Sequence, residues 1–300
     1  MKTSSLRADS LLMLAAAIWG FAFVAQRAGM EHIGPFLFNG VRFGLGCLSL
    51  LPLLLWNAKH KSNPGKSFIA NKKIAVYGLV IGLVLFVGSS LQQAGLVYTS
   101  AGKAGFITGL YVILVPVMGL LWQQRIHVGA WVGAVLATAG LYFLSVTEQF
   151  TIEKGDLLVL LSAIFWAAHV HIIGWLAQKI DAILVAFMQF AVCSVLSLLT
   201  AFLLEPISVD GLLGATVPIL YGGLFSAGIA YTLQVIAQKD AHPAHAAIIL
   251  SLEGVFAVIG GWLLLAEVLT TRVFAGCALM LSGMIFSQMH ILLRKRKKFQ

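Results

Sequence analysis

The chain has 300 residues, of which 60% are hydrophobic and only 10% charged, with a formal net charge of +9 at pH 7. Soluble domains carry roughly 25% charged residues, so a water-facing domain of this size has too little polar surface to cover so much apolar surface. Lipid as the solvent removes that difficulty. The basic residues lie between apolar runs and at the two ends; this pattern marks membrane topology and argues against a nucleic-acid-binding face.

A helix needs about 20 apolar residues to cross the hydrocarbon. In chain order the runs predict ten spans, over about 11–30, 35–56, 74–98, 102–122, 128–146, 157–177, 182–204, 212–237, 244–265 and 273–292. Backbone groups in lipid must be bonded within the chain, and no run alternates with period two, so the spans are helices and not barrel strands. The first run follows Lys2 and Arg7 and continues through Val24, so we read it as a first span rather than a cleaved leader. Cys47, Cys193 and Cys277 lie apart inside apolar runs. They form neither a disulfide framework nor a CxxC pair and read as packing residues. Ala101, Gly105 and Gly109 recur every four positions, as do Gly129, Gly133 and Ala137, which lets helices approach closely. Pro116 and Pro218 fall within spans, where proline kinks a helix.

The connections set the orientation. With the N-terminus inside, fifteen Lys and Arg face the cytoplasm: Lys2, Arg7, Lys59, Lys61, Lys66, Lys72, Lys73, Arg125, Lys179, Lys239 and the run Arg294-Lys295-Arg296-Lys297-Lys298. Four face outward, namely Arg27, Lys103, Lys154 and Arg272, and Arg42 lies within a span. The positive-inside rule therefore places both termini in the cytoplasm.

The two halves resemble each other. At a shift of 147, Asp9 falls on Asp156, Trp19 on Trp166 and Phe43 on Phe190. At a shift of 143, Ala101 falls on Ala244, Ala104 on Ala247, Gly133 on Gly276 and Gly140 on Gly283, and at 142 Gln92 falls on Gln234. Five spans per half is an odd number, so the second half enters the membrane from the opposite side. Inverted repeats of this kind let two halves rock about a midplane site, which points to transport.

The residues Ala17-Ile18-Trp19-Gly20-Phe21, Arg42-Phe43, the stretch 99–116 (TSAGKAGFITGLYVILVP), Ser251-Leu252-Glu253-Gly254-Val255-Phe256 and Leu265-Ala266-Glu267 resemble the drug/metabolite transporter superfamily in its ten-helix form with two EamA-type repeats. At Gly254 the chain has glycine where that family often has proline. The resemblance covers about residues 8–292. It implies an all-α membrane protein of ten transmembrane helices in two inverted five-helix repeats, 8–146 and 155–292, followed by a basic cytoplasmic tail, 293–300. It implies an inner-membrane carrier for amino acids, metabolites or drugs, usually in the export direction.

Two formal charges fall deep within the spans, Arg42 and Glu253. A charge near the midplane costs on the order of 2.5–3.5 kcal/mol on insertion scales, so it needs a partner, a wet cavity or, for a carboxyl, a proton. Glu253 is the candidate for proton coupling; its bland alternative is a paired helix–helix contact. Arg42 cannot lose its proton and reads as a structural charge, a clamp or fixed counter-ion. Trp19 and Trp166 are deep repeat mates, whereas tryptophan usually prefers the interface. Gln92, Gln93 and Gln234 put amides at midspan, where they must find partners. His169 and His171 lie two apart and point to different sides of their helix, so at most one lines a narrow cavity. His245 lies eight residues before Glu253, slightly over two turns, which on one helix gives a shared face. Tyr111 and Tyr231 offer hydroxyls. The expected substrate-binding set is therefore Trp19, Gln92, Gln93, Tyr111, Trp166, His169, Tyr231, Gln234 and His245.

Neither HExxH nor GxSxG occurs, so the motifs of an intramembrane metalloprotease or serine hydrolase are missing. A channel would favour rings of like polar residues, and here they are single and scattered. The pattern calls for no cofactor or metal. Its implied partners are a small-molecule substrate, the bilayer and protons as a candidate coupling ion, in a monomer or homodimer. Reporter fusions should place both termini in the cytoplasm, with Lys154 and Asp210 outside; a periplasmic C-terminus would sink the helix count and the inverted repeat together.

Overall fold

The computed structural model describes residues 2–60, 72–99, 101–121, 123, 126, 128–145, 154–265, 271–272, 274–276, 278–283 and 285–286. Lys61, Lys66, Arg125, Ala266, Glu267, Cys277 and the tail 293–300 lie outside the described residues. Among the described residues all regular structure is helical. The first half holds α1 (Lys2–Gly29), α2 (Pro35–His60), α3 (Lys72–Leu96), α4 (Ala101–Gly109), α5 (Tyr111–Leu121) and α6 (Val128–Ser145). The second holds α7 (Lys154–Leu176), α8 (Ala182–Leu204), α9 (Val209–Gly214), α10 (Thr216–Leu220), a π-helical segment (Tyr221–Tyr231), α11 (Thr232–Ala237), α12 (Pro243–Leu250) and α13 (Glu253–Leu265). Eight spans are long and apolar enough to cross a membrane, and shorter apolar helices cover Val128–Gly140 and Phe274–Gly283, where the fifth and tenth spans were expected.

The local chemistry explains several helix ends. Pro35 opens α2, where a missing N–H costs nothing. The next two amides of that turn donate to Glu205 at the far end of α8, Phe36 N to Oε1 and Leu37 N to Oε2, both at 2.8 Å. One carboxylate thus caps a helix of the other half and meets the positive end of its dipole. Asp181 caps α8 by accepting from Ile183 N. His242, followed by Pro243, caps α12.

Two expected spans are interrupted. The fourth breaks at Leu110, between α4 and α5, and the ninth at Ser251 and Leu252, between α12 and α13. At the shift of 143 Leu110 falls on Glu253, the first residue of α13, so the two breaks lie within two residues of matching places. Short-range bonds close both, from Ile113 N to Leu110 O at 3.0 Å and from Gly254 N to Ser251 O at 3.1 Å. The bend beside Gly254 therefore forms without proline.

The halves interleave. Helix α1 packs on α13 and on the π-helical segment, α2 on α8, and α3 on α7 and α8, while α4 and α5 lie against α7. The outer surface is apolar, with Leu121, Phe202, Leu203 and Val217 exposed, whereas Arg42, Gln93, His169, Gln189 and Glu253 are buried. This is the arrangement that lipid demands.

Small residues set the closest approaches. A Cβ at Gly82 would strike the side chain of Val192, and one at Gly223 would lie 2.7 Å from the Cβ of Leu45. The expected stripe on α6 is also a contact: a Cβ at Gly283 would lie 2.6 Å from the carbonyl of Gly133 and 3.1 Å from Ala137 N. Cys47 and Cys193 are free thiols within the packing.

Gly20 is the tightest of these contacts beside the broken ninth span. A Cβ there would collide with that of Phe256 and lie 2.7 Å from the carbonyl oxygen of Glu253. Neither group can swing away, so Gly20→Ala should lower stability by about 1–3 kcal/mol, the usual cost of overpacking. At Gly102 nothing lies within 4 Å, and Gly102→Ala should leave the melting temperature of the purified protein unchanged. Equal melting temperatures for the two variants would contradict the close packing of α1 on α13.

Candidate functional site

Residues of both halves line a narrow central cavity. Helix α1 supplies Trp19, Phe23 and Gln26, α2 supplies Arg42, and α3 supplies Gln92. Thr108 and Tyr111 flank the break in the fourth span; Leu250 and Glu253 flank the break in the ninth. Trp166, His169 and Val170 come from α7, Ser226 and Tyr231 from the π-helical segment, and Gln234 from α11.

An amide network joins four helices at one wall. Trp166 Nε1 donates to Gln92 Oε1 at 2.7 Å, and the same oxygen is 3.5 Å from the Thr108 hydroxyl. The Gln92 amide nitrogen reaches Gln26 Oε1 at 3.4 Å. Such bonds hold helices together where lipid offers no partner. Tyr231 sits at the centre of an aromatic cluster. Its ring lies 4.7 Å from Trp19, 5.8 Å from His169, 6.3 Å from Trp166 and 5.8 Å from Phe190, centroid to centroid. Trp19 Nε1 donates to the Ser226 carbonyl at 3.3 Å. Hence the repeat-related tryptophans are fixed through both ends of their rings.

Arg42 and Glu253 line this same cavity and are 3% and 4% exposed. The guanidinium carbon of Arg42 lies 4.7 Å from the Phe43 ring centroid and 5.6 Å from that of Phe38, a cation–π arrangement that compensates part of its lost hydration. Its Nε has no hydrogen-bond partner. The Tyr111 hydroxyl approaches the Glu253 carboxyl, and Glu253 Oε1 has no partner. Arg42 and Glu253 do not form an ion pair with each other.

Of the residues singled out from sequence, Trp19, Gln92, Tyr111, Trp166, His169, Tyr231, Gln234, Glu253 and Arg42 come together here. Gln93 and His245 do not. Successive residues on a helix point about 100° apart, so Gln93 cannot share the face of Gln92; it donates instead to the Gln26 carbonyl at 3.3 Å. His245 sits on α12, before the break at Ser251 and Leu252, so its spacing from Glu253 on α13 does not keep a common face. It contacts Asp9 on α1 at 2.9 Å. Of the two histidines on α7, His169 faces the cavity, held by Gln189 at 2.8 Å, whereas His171 contacts the Val115 carbonyl of α5 at 2.7 Å. Gln26, Thr108 and Ser226 are lining residues that the sequence reading missed. Gln26 was detectable as a further amide inside an apolar run. Thr108 and Ser226 carry no signal apart from their neighbours. Among the described residues no three metal-ligating side chains cluster.

A bundle of apolar helices around a buried, aromatic and amide-lined cavity is the build of a membrane carrier of small solutes, and the comparisons with known proteins agree. The sequence model of the EamA-like transporter family matches the chain twice, over residues 6–146 and 153–289. The chain belongs to that family; it is a multi-pass membrane transporter and not an enzyme. It is 33% identical over 289 residues to a protein of Archaeoglobus fulgidus named uncharacterized transporter, an alignment spanning 95% of this chain and 87% of that one. It is 26% identical over 277 residues to the uncharacterized transporter YoaV of Bacillus subtilis, covering 90% of this chain and 92% of the relative. A solved crystal structure superposes with a TM-score of 0.77 over 99% of both chains at 19% identity, a likeness of fold alone.

Proposed function

We propose that the chain exports a small organic solute by alternating access through the central cavity, with Glu253 exchanging a proton during the cycle. In this reading ten spans form two five-helix repeats of inverted topology, 8–146 and 155–292, in the cell's inner membrane with both termini in the cytoplasm. One observation carries it: the cavity lies where both halves meet, at two helix breaks within two residues of matching places under the repeat shift. Discontinuous helices at a repeat interface are the usual setting of a transporter site. Trp19, Gln92, Trp166 and Gln234 then form paired walls of the path, with His169, Tyr111 and Tyr231 beside them. Glu253 is the carboxyl within that cavity, which is why it is assigned the proton.

Alternating access can be tested without a known substrate. In a protein whose native cysteines are replaced, Thr108→Cys and Ser226→Cys should be labelled by an impermeant maleimide from each face of the membrane. Labelling from neither face would overturn the reading. Coupling is tested in proteoliposomes with a panel of amino acids, metabolites and organic cations. A pH gradient should drive accumulation by the wild type, and Glu253→Gln should abolish it while exchange at equal pH persists. A flat response of the wild type to the gradient would remove Glu253 from proton coupling.

A further inference from the structure

Two buried glutamines stand just beyond the cavity lining and make the same kind of bond. Gln93, three residues before the end of α3, donates Nε2 to the main-chain carbonyl of Gln26 on α1 at 3.3 Å. Gln238, directly after α11, donates Nε2 to the main-chain carbonyl of Val170 on α7 at 2.9 Å. Both acceptors, Gln26 and Val170, line the cavity. Both glutamines are 0% exposed, and in each the amide oxygen has no partner. They are not repeat mates: at the shift of 142 Gln93 falls on Val235, about one turn short of Gln238. Each bond joins helices whose main neighbours lie elsewhere. Helix α1 packs chiefly on α13 and the π-helical segment, and α3 on α7 and α8. Helix α11 lies on α1, α8 and the π-helical segment, and α7 on α3, α4 and α5. Between α1 and α3 the Gln92–Gln26 contact at 3.4 Å adds a second, longer amide bond. Beside Gln238 a Cβ on Gly174 would lie 3.0 Å from the ring of Pro243, so α7 and α12 also close up at that end.

We propose that Gln93 and Gln238 are the gating side chains of the cavity, Gln93 at the outer mouth and Gln238 at the inner. The proposal rests on transport through this cavity and on the inverted topology, which puts the ends of the third and eighth spans at opposite faces. In the closed arrangement each amide keeps one bond and leaves its oxygen dry, at a cost. Parting the two helices breaks that bond and admits water to both ends of the amide. The second change offsets the first, so neither arrangement is locked. That balance is what a mouth needs if it opens and closes in every cycle.

The test uses the full chain with its native cysteines replaced, carrying Thr108→Cys or Ser226→Cys, in right-side-out and inside-out membrane vesicles. Each vesicle type presents one face to an impermeant maleimide, and the labelling rate reads how often that mouth is open. Leucine fills a similar volume but neither donates nor holds water. Gln93→Leu should therefore slow labelling from the outer face by about threefold or more and not slow it from the inner face. Gln238→Leu should do the reverse. An ionised carboxylate has no proton to give a carbonyl and draws water. At about pH 8, Gln93→Glu should then speed labelling from the outer face and Gln238→Glu from the inner. A variant that only loosens the bundle would change both faces together. Equal changes at the two faces, or none, would overturn the gates, and the leucine pair decides this even if the glutamate pair fails to fold. Labelling of the parent protein from neither face would instead sink the transport reading, and the gates with it.

Discussion

In lipid a polar group has no solvent to fall back on, and that one constraint orders the protein. Its outer face is made of leucine, valine and phenylalanine, and its polar side chains turn inward. There each must find a partner on another helix. Gln92 answers Trp166 and Gln26, Gln189 answers His169, Glu205 answers the first amides of α2, and Ser194 answers the Gly40 carbonyl. Many of these bonds cross between the halves. The network that satisfies buried polar groups is therefore the same network that joins the two halves into one bundle.

This accounting is incomplete at the cavity, as it is at Asn39, Ser90, Gln93 and Gln189 elsewhere in the bundle. Arg42 Nε, Gln234 Oε1 and Glu253 Oε1 are buried without partners, and all three residues line it. Orphaned polar atoms are costly in a structural core, and those beside the cavity have open space before them. The breaks at Leu110 and at Ser251–Leu252 bring Tyr111 and Glu253 to this space. The glycine contacts provide the other condition. Where Gly20 meets Phe256 and Gly223 meets Leu45, neighbouring helices come close enough for short side chains to bond across them.

Much of this was legible in the sequence. The apolar runs located the helices because lipid imposes a length on each span. The repeat pointed to the cavity, since Trp19, Trp166, Gln92 and Gln234 were chosen as mates and all four line it. What failed was inference over an unbroken helix. His245 was referred to the face of Glu253 by counting turns, and no spacing rule foresees a stop at Ser251. Thr108 and Ser226 were missed because hydroxyl residues are common in apolar helices, where they can bond to their own backbone. Arg42 was read as a structural charge, a clamp or fixed counter-ion; only the structure places it beside Phe38 and Phe43 and along the same space as Glu253.

The repeat frames the cavity, but its charges are not duplicated. At the shift of 147 Arg42 corresponds to Gln189, a neutral amide already engaged with His169, and at 143 Glu253 corresponds to Leu110. The two ionisable side chains that line the space thus come one from each half, Arg42 from the first and Glu253 from the second. That asymmetry sits in the side chains and has no counterpart in the matched residues of the repeat.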